Sequence, residues 1–405
     1  MFLFVLVYYA RPSDWIPGAS HFPFEKITGG IALLAFGLVI VQRGSKPLPS
    51  EIKVLLWLFA QFCLCIPFAI WRGGSFSLVF GDIAKIFLIT AAMALSVTTL
   101  SRLHHLMLLQ AIAMAAIAAL SLHAKNYDSY HRLNGAVGGV FDNPNDLAFN
   151  LAIAVPLCFV FLATSRSLIK KGFWIASLGL LSYTIVLTSS RSGFLAMFAG
   201  AAAALWHFGV KGRRKGVLIF AGVAVFGILC MASSKQYYTR LSSIIFQNEL
   251  DETGSIAARR ELLIKSIEVT ATHPLFGVGP GNFDEVSGNW HVSHNTYLQL
   301  SADAGIPALA LFVVVLWCAF GKLNRLEGAK MNPSSLQHYV GGLKAALVGF
   351  VVGAFFADTA YHFFPYFLIA YASALFQIAK STQLKTQGAL ATPELNPYDD
   401  AALAI

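Results

Sequence analysis

Arg191 carries the most pointed chemistry in this 405-residue chain. It lies in Thr188-Ser189-Ser190-Arg191-Ser192-Gly193, between two apolar runs, where an arginine is costly to submerge. Its planar fork binds two phosphate oxygens at once, and Ser189, Ser190 and Ser192 add hydroxyl donors beside it. The blander reading is an interfacial arginine snorkelling to lipid phosphates. Arg259 and Arg260 fall in a segment from Ser255 to Thr270 that reads as a helix. Its apolar stripe is Ile256, Leu263 and Ile267, with Arg260 on the stripe and Arg259 at its edge. Such a helix lies on a membrane surface, its arginines against headgroups or turned into a cleft.

The segment His273-Pro274-Leu275-Phe276-Gly277-Val278-Gly279-Pro280-Gly281-Asn282-Phe283 is a helix stop and a Gly-rich turn. Its glycines do not make a nucleotide loop, which needs a strand before it and a helix after it. They serve tight turning and close backbone approach. Beyond it, Ser293-His294-Asn295-Thr296 leads into an apolar run, placing a histidine at a membrane border. There it is either a helix-capping or interface residue or a general base. In Phe141-Asp142-Asn143-Pro144-Asn145-Asp146, Asn143 caps a helix, Pro144 takes its first position and Asp146 follows three residues past the cap. Asn145 and Asp146 could also contact a sugar. Asp358 and His362 flank a later turn and receive no role.

These residues must be positioned by membrane helices. The chain is 57% hydrophobic and 12% charged with a mean hydropathy of +0.65, leaving too little polar surface to cover a soluble globule. Its apolar runs match the roughly 20 residues that cross a core about 30 Å thick, and they lack the alternation of a membrane barrel. We expect an all-α polytopic protein of eleven to twelve spans. They fall at about 1 to 10, 27 to 42, 52 to 71, 76 to 98, 102 to 123, 146 to 164, 172 to 189, 191 to 210, 215 to 232, 296 to 319, 340 to 358 and 362 to 379. The first is too short to cross unaided, which suggests an upstream start. Residues 1 to 380 form one membrane domain, with a large loop at 233 to 293 between spans nine and ten, and 381 to 405 form a polar, disordered tail.

Lys and Arg fall between alternate pairs of spans: Arg43, Lys46 and Lys53; Arg102; Arg166, Lys170 and Lys171; Lys211, Arg213, Arg214 and Lys215; Lys322, Arg325 and Lys330; Lys380 and Lys385. Positive residues stay on the cytoplasmic side, so the other loops, including 124 to 145, 190 to 191 and 233 to 293, face outward. This explains the formal +9 without nucleic acid, which would need basic residues gathered on one face. Cys63, Cys65, Cys158, Cys230 and Cys318 lie inside spans, so no disulfide framework or metal site is implied.

Taken in order, FDNPNDLA at 141–148, SSRSG at 189–193, Arg259-x-Glu261-Leu262 followed by HPLFGVGPGNF at 273–283, and HNTYLQLSADAGIPAL at 294–309 resemble the O-antigen ligase and polymerase superfamily of membrane glycosyltransferases. The resemblance covers roughly residues 135 to 320. It departs at Leu263, where the family often has Trp, and at the Arg259-Arg260 doublet, in which spacing to Pro274 favours Arg259. The resemblance implies an enzyme that moves a glycan from an undecaprenyl-diphosphate carrier to an acceptor hydroxyl at the periplasmic face of a bacterial inner membrane. Arg191 and Arg259 would stabilise the departing diphosphate, and His294 would take the hydroxyl proton. Arg260, Ser190, Asn295 and Asn145 would bind substrate. No cofactor or metal is required, although a divalent ion bridging the diphosphate is an alternative. The favoured acceptor is lipid A core, ahead of a growing polysaccharide end or a protein Ser/Thr, and membrane lipids surround the whole. The rival class is a transporter or lipid flippase, whose function would rest on in-span charges such as Asp82, Lys85 and Asp303.

Overall fold

The structure, a computed structural model, describes residues 1–15, 18, 22–44, 47–129, 131–210, 222, 255–288, 291–329 and 334–391. The expected ninth span with the Lys211 to Lys215 cluster before it, the loop from 233 to 254 and the tail from 392 onward lie outside the described residues. Two short helices, α1 (Phe2–Ala10) and α2 (Pro12–Trp15), precede α3 (Phe24–Arg43) and α4 (Ser50–Cys65). Next come α5 (Arg72–Leu78), running through a π turn into α6 (Ala84–Ser96), then α7 (Leu100–Ala124), α8 (Pro144–Thr164), α9 (Leu168–Leu187) and α10 (Arg191–Leu205). After the gap follow α11 (Ser255–Thr272), α12 (Phe283–Val286), α13 (Thr296–Gly328), α14 (Ser334–Gly353) and α15 (Phe363–Ala391).

Among the described residues there is no strand, and eight helical stretches are long and apolar enough to cross a membrane: α3, α4, α5–α6, α7, α8, α10, α13 and α15. Helices α9 and α14, of 20 residues each, pack alongside α8 and α10. The all-helical membrane architecture stands, while the count of eleven to twelve is met only in part.

Helix α8 is the axis, with every residue from 147 to 162 buried. Without a hydrophobic drive between helices in lipid, close packing depends on small residues. A methyl group at Gly193 would collide with Ala148, one at Gly342 with Val160, and one at Gly353 with Phe149. These glycines let α10 and α14 close on α8.

The expected tenth span, 296 to 319, is not one continuous helix. It breaks at Gly305 (φ 81°, ψ 169°) before running on to Gly328. Pro307 supplies no amide to the carbonyl of Asp303, four residues back. The carbonyls freed by the break find other donors: Ala302 O accepts from Val278 N (2.9 Å), Asp303 O from Gly279 N (2.9 Å) and Ala304 O from Gln61 Nε2 (3.1 Å). Ile306 N turns to Pro274 O at 2.8 Å. The Gly-rich segment therefore docks main chain to main chain against the break. A Cβ at Gly277 would overlap the Asp303 carbonyl, and one at Gly305 would overlap Leu275 O.

Candidate active site

Three helices start at the same end of the bundle, each with a side-chain cap. Asn143 Oδ1 accepts from Asn145 N (2.8 Å) at α8, and Ser190 Oγ accepts from Gly193 N (3.4 Å) at α10. At α13, Asn295 Oδ1 accepts from Tyr297 N (3.0 Å) and Leu298 N (3.1 Å). Helix starts carry partial positive charge and unused amides, an environment that favours anions. Directly before two of these caps the backbone enters the left-handed region, at Ser189 (φ 50°) and His294 (φ 53°), which is uncommon for residues with side chains. Such conformations persist where surrounding structure enforces them and are characteristic of functional sites.

Contacts hold the three starts together. Gly193 lies on Ala148, and Gly353 lies against both Phe149 of α8 and Ala196 of α10. The next residue, Ala354, accepts from Thr296 N at 2.9 Å. Thr296 Oγ1 donates to Ala357 O (2.6 Å) and accepts from Thr359 N (3.1 Å). Thus the motifs at 143–148, 188–193 and 294–296 meet around the turn 354–362.

Beneath them Asp303 is fully buried and acts as a keystone. Its Oδ1 accepts from Asn282 N (3.1 Å) and Phe283 N (2.9 Å), and its Oδ2 from Gln299 Nε2 (3.0 Å) and Tyr361 OH (2.9 Å). This charge is committed to framing the site. Asp82, also within a span, pairs with Lys85 (3.4 Å) at an exposed surface.

His294 is half-buried, and burial, followed by the charges of Arg259 and His291, pushes its pKa down to about 4. The imidazole is therefore neutral near pH 7, with Arg259 close enough to act on it. Asp358, in the turn clasped by Thr296, has the opposite shift. Burial, then Asp303 and Asp146, pushes its carboxyl up to about 8, and its buried Oδ1 has no hydrogen-bond partner among the described residues.

Apart from Asn145, which bonds Arg132, the expected site residues divide into three groups. His294 and Arg259 come together, and Arg191 stands half-buried as the first residue of α10, at the same end. Ser190 and Asn295 are buried caps whose side-chain oxygens serve their own helices. Arg260 is exposed on α11, away from the packed face. On the same helix Leu262, Ser266 and Val269 are buried and carry half-buried Arg259 on their side, whereas Leu263, Ile264 and Ile267 are exposed, as a stripe turned to a membrane surface would be. Leu263 and Ile267 point away from the protein, and the less obvious face packs against it.

One participant had no motif to announce it. Arg132, half-buried in the loop before α8, donates from Nη2 to Asn145 Oδ1 (2.8 Å) and from Nε to Thr188 O (3.2 Å). It joins the first turn of α8 to the turn that presents Ser190 and Arg191. Its signal in the sequence was the one that marked Arg191, a positive charge in a loop on the less positive side.

Fold and site together define a polytopic membrane protein in which three capped helix starts and their polar groups lie at one end of the bundle. A family model described as O-antigen ligase matches residues 176–313, a span that includes Arg191, Arg259 and His294. Over those residues the chain is similar to the O-antigen ligase family, in keeping with the resemblance of its motifs. It is also similar to the exopolysaccharide production protein ExoQ of Rhizobium meliloti (strain 1021), with 24% identity over 345 residues, 78% of this chain and 77% of that protein.

Proposed function

We propose that this protein is a metal-independent glycosyltransferase that moves a glycan from undecaprenyl diphosphate to an acceptor hydroxyl, at the periplasmic face of a bacterial inner membrane. The observation that carries the proposal is the neutral His294 held beside Arg259, at the end where α8, α10 and α13 begin. The acceptor oxygen attacks the anomeric carbon and its proton passes to an imidazole nitrogen of His294. The bond from that carbon to the phosphate oxygen breaks, and the electron pair leaves on undecaprenyl diphosphate. Arg191, Arg259 and the helix starts offset the negative charge that grows there.

The low pKa of His294 gives the scheme an internal order. A free imidazole with a pKa near 4 is a weak base, and Arg259 contributes to that. A bound diphosphate offsets the charge of Arg259, so loading the donor raises the basicity of His294. Donor binding thus prepares the base for the acceptor.

In a reconstituted assay with a lipid-linked donor, His294→Ala and Arg191→Ala are expected to express normally and to abolish transfer, with wild-type turnover unchanged by EDTA. Near wild-type turnover in both variants overturns the proposal. Lipid A core is the acceptor expected from the family resemblance. The likeness to an exopolysaccharide production protein favours a second reading, a growing polysaccharide end. Mass analysis of a deletion strain separates them: unglycosylated lipid A core accumulates in the first case, short polysaccharide chains in the second.

A further inference from the structure

At the end of the bundle opposite His294, α1, α3 and the α6–α7 turn enclose a crevice of about 520 Å³, within the range of small-molecule sites. Helix α7, 25 residues and so about 37 Å long, separates its mouth from the loop that carries Arg132. The floor is apolar and closed: Ala32, Val97 and Leu106 are all buried. Around it the outer surface of α3 is also apolar, with Leu34 75% and Leu38 65% exposed, which in a membrane protein means acyl chains alongside. The polar groups at the mouth are different in kind. Arg102 and His105 stand three residues apart on α7, hence on one face, and both are exposed.

Both side chains have capacity to spare. The only hydrogen bond from the Arg102 side chain among the described residues is a long one, from Nη1 to Thr98 Oγ1 at 3.4 Å. His105 Nδ1 lies 2.7 Å from the Ser101 carbonyl, which can only accept, so Nδ1 carries a proton and Nε2 makes no hydrogen bond among the described residues. No residue lining the crevice is acidic. The mouth therefore has two groups for a phosphate and none for the ammonium of a zwitterionic headgroup.

We propose that this crevice is a binding site for an anionic phospholipid, its acyl chain in the apolar cleft and its phosphate on Arg102 and His105. The site is separate in place from the proposed donor site, at the other end of α7. Its lipid would wedge α1 and α3 against α7. That has reach, because the end of α1 holds the loop before α8: Arg11 bonds Asp14 (2.6 Å), and Asp14 accepts from Gly138 N (3.0 Å).

The test is native mass spectrometry of the purified full-length protein after exposure to equimolar, acyl-matched phosphatidylglycerol and phosphatidylcholine. Wild type is expected to retain phosphatidylglycerol preferentially. Arg102→Ala lowers that preference by about fivefold, the worth of one basic residue near an anionic lipid, and His105→Ala lowers it less. Ala35→Trp, at the wall of the crevice, reduces retention of both lipids. An unchanged lipid ratio in both headgroup variants overturns the anionic specificity. Full retention in Ala35→Trp overturns the site itself. Elution profile and melting temperature identify any variant that fails to fold, and the remaining two variants then decide.

Discussion

The two ends of α13 use charge in opposite ways. Near Thr296 the helix breaks, and Asp303 spreads four hydrogen bonds over irregular backbone and side chains from the 282–283 and 361 turns. Near Gly328 the helix runs regularly and its charges pair with neighbouring helices. Lys322 binds buried Glu51 of α4, and Glu327 meets Lys344 of α14 (2.7 Å) and His207 (3.3 Å). One end uses buried charge to hold an unusual main-chain shape, the other to fix the spacing between helices. Shape is what chemistry needs, and spacing is what stability needs.

The sharpest break of that comparison is His294→Ala, expected to lower turnover by about 100-fold to 10,000-fold, the usual worth of a general base, while the melting temperature barely moves. Lys322→Ala should do the reverse. It leaves Glu51 charged and buried, a destabilisation of about 3–5 kcal/mol, while protein that remains folded keeps its specific activity. Thermal unfolding and turnover measured on one preparation separate the two, and a variant that loses both equally would erase the distinction between the ends.

A smaller effect lies in the pH profile. The acid limb of kcat/KM reports the free enzyme and should fall near pH 4, as His294 gains a proton. The limb of kcat reports the loaded enzyme and should fall at higher pH, because the diphosphate has offset Arg259. Coincident limbs would show that the donor does not tune the base.

The smallest effect is on stability at the site itself. Asp358 has a folded pKa of about 8 against an ordinary 3.8, so between those values the folded state holds a proton that the unfolded chain has released. Its contribution is full below about pH 4 and lost as pH rises through 8. Asp358→Asn should therefore gain melting temperature over wild type progressively from pH 5 to pH 8. A constant difference across that range would contradict the raised pKa.

Much of this was legible in the residues. The cap at Asn143 follows from residue type and position, whereas Ser190 and Asn295, expected to bind substrate, cap α10 and α13; helix limits at α7, α8 and α10 lie within a few residues of the apolar runs. The choice between Arg259 and Arg260 was not settled by the stripe of α11. Near a bilayer, an apolar stripe can face lipid, so hydrophobic periodicity does not say which side meets the protein. The break at Gly305 was hidden for a related reason, since an apolar run looks the same whether its carbonyls bond within the helix or to another segment. Arg132 was missed because its role is to join two motifs, and no single string contains it.

Leu262, Val269, Val278, Phe283 and Ala302 form a small core of their own, apart from the main one. Thr270 and Ser301 add a hydroxyl contact of 2.9 Å between α11 and the first part of α13. The piece bearing Arg259 and the piece leading from His294 are thus mounted on one chassis, bolted together through main chain. Arg191 belongs to the other frame, built by α8, α10 and α14. Thr296 joins the two through Ala354 and Ala357, so the place of His294 relative to Arg191 rests on those few bonds.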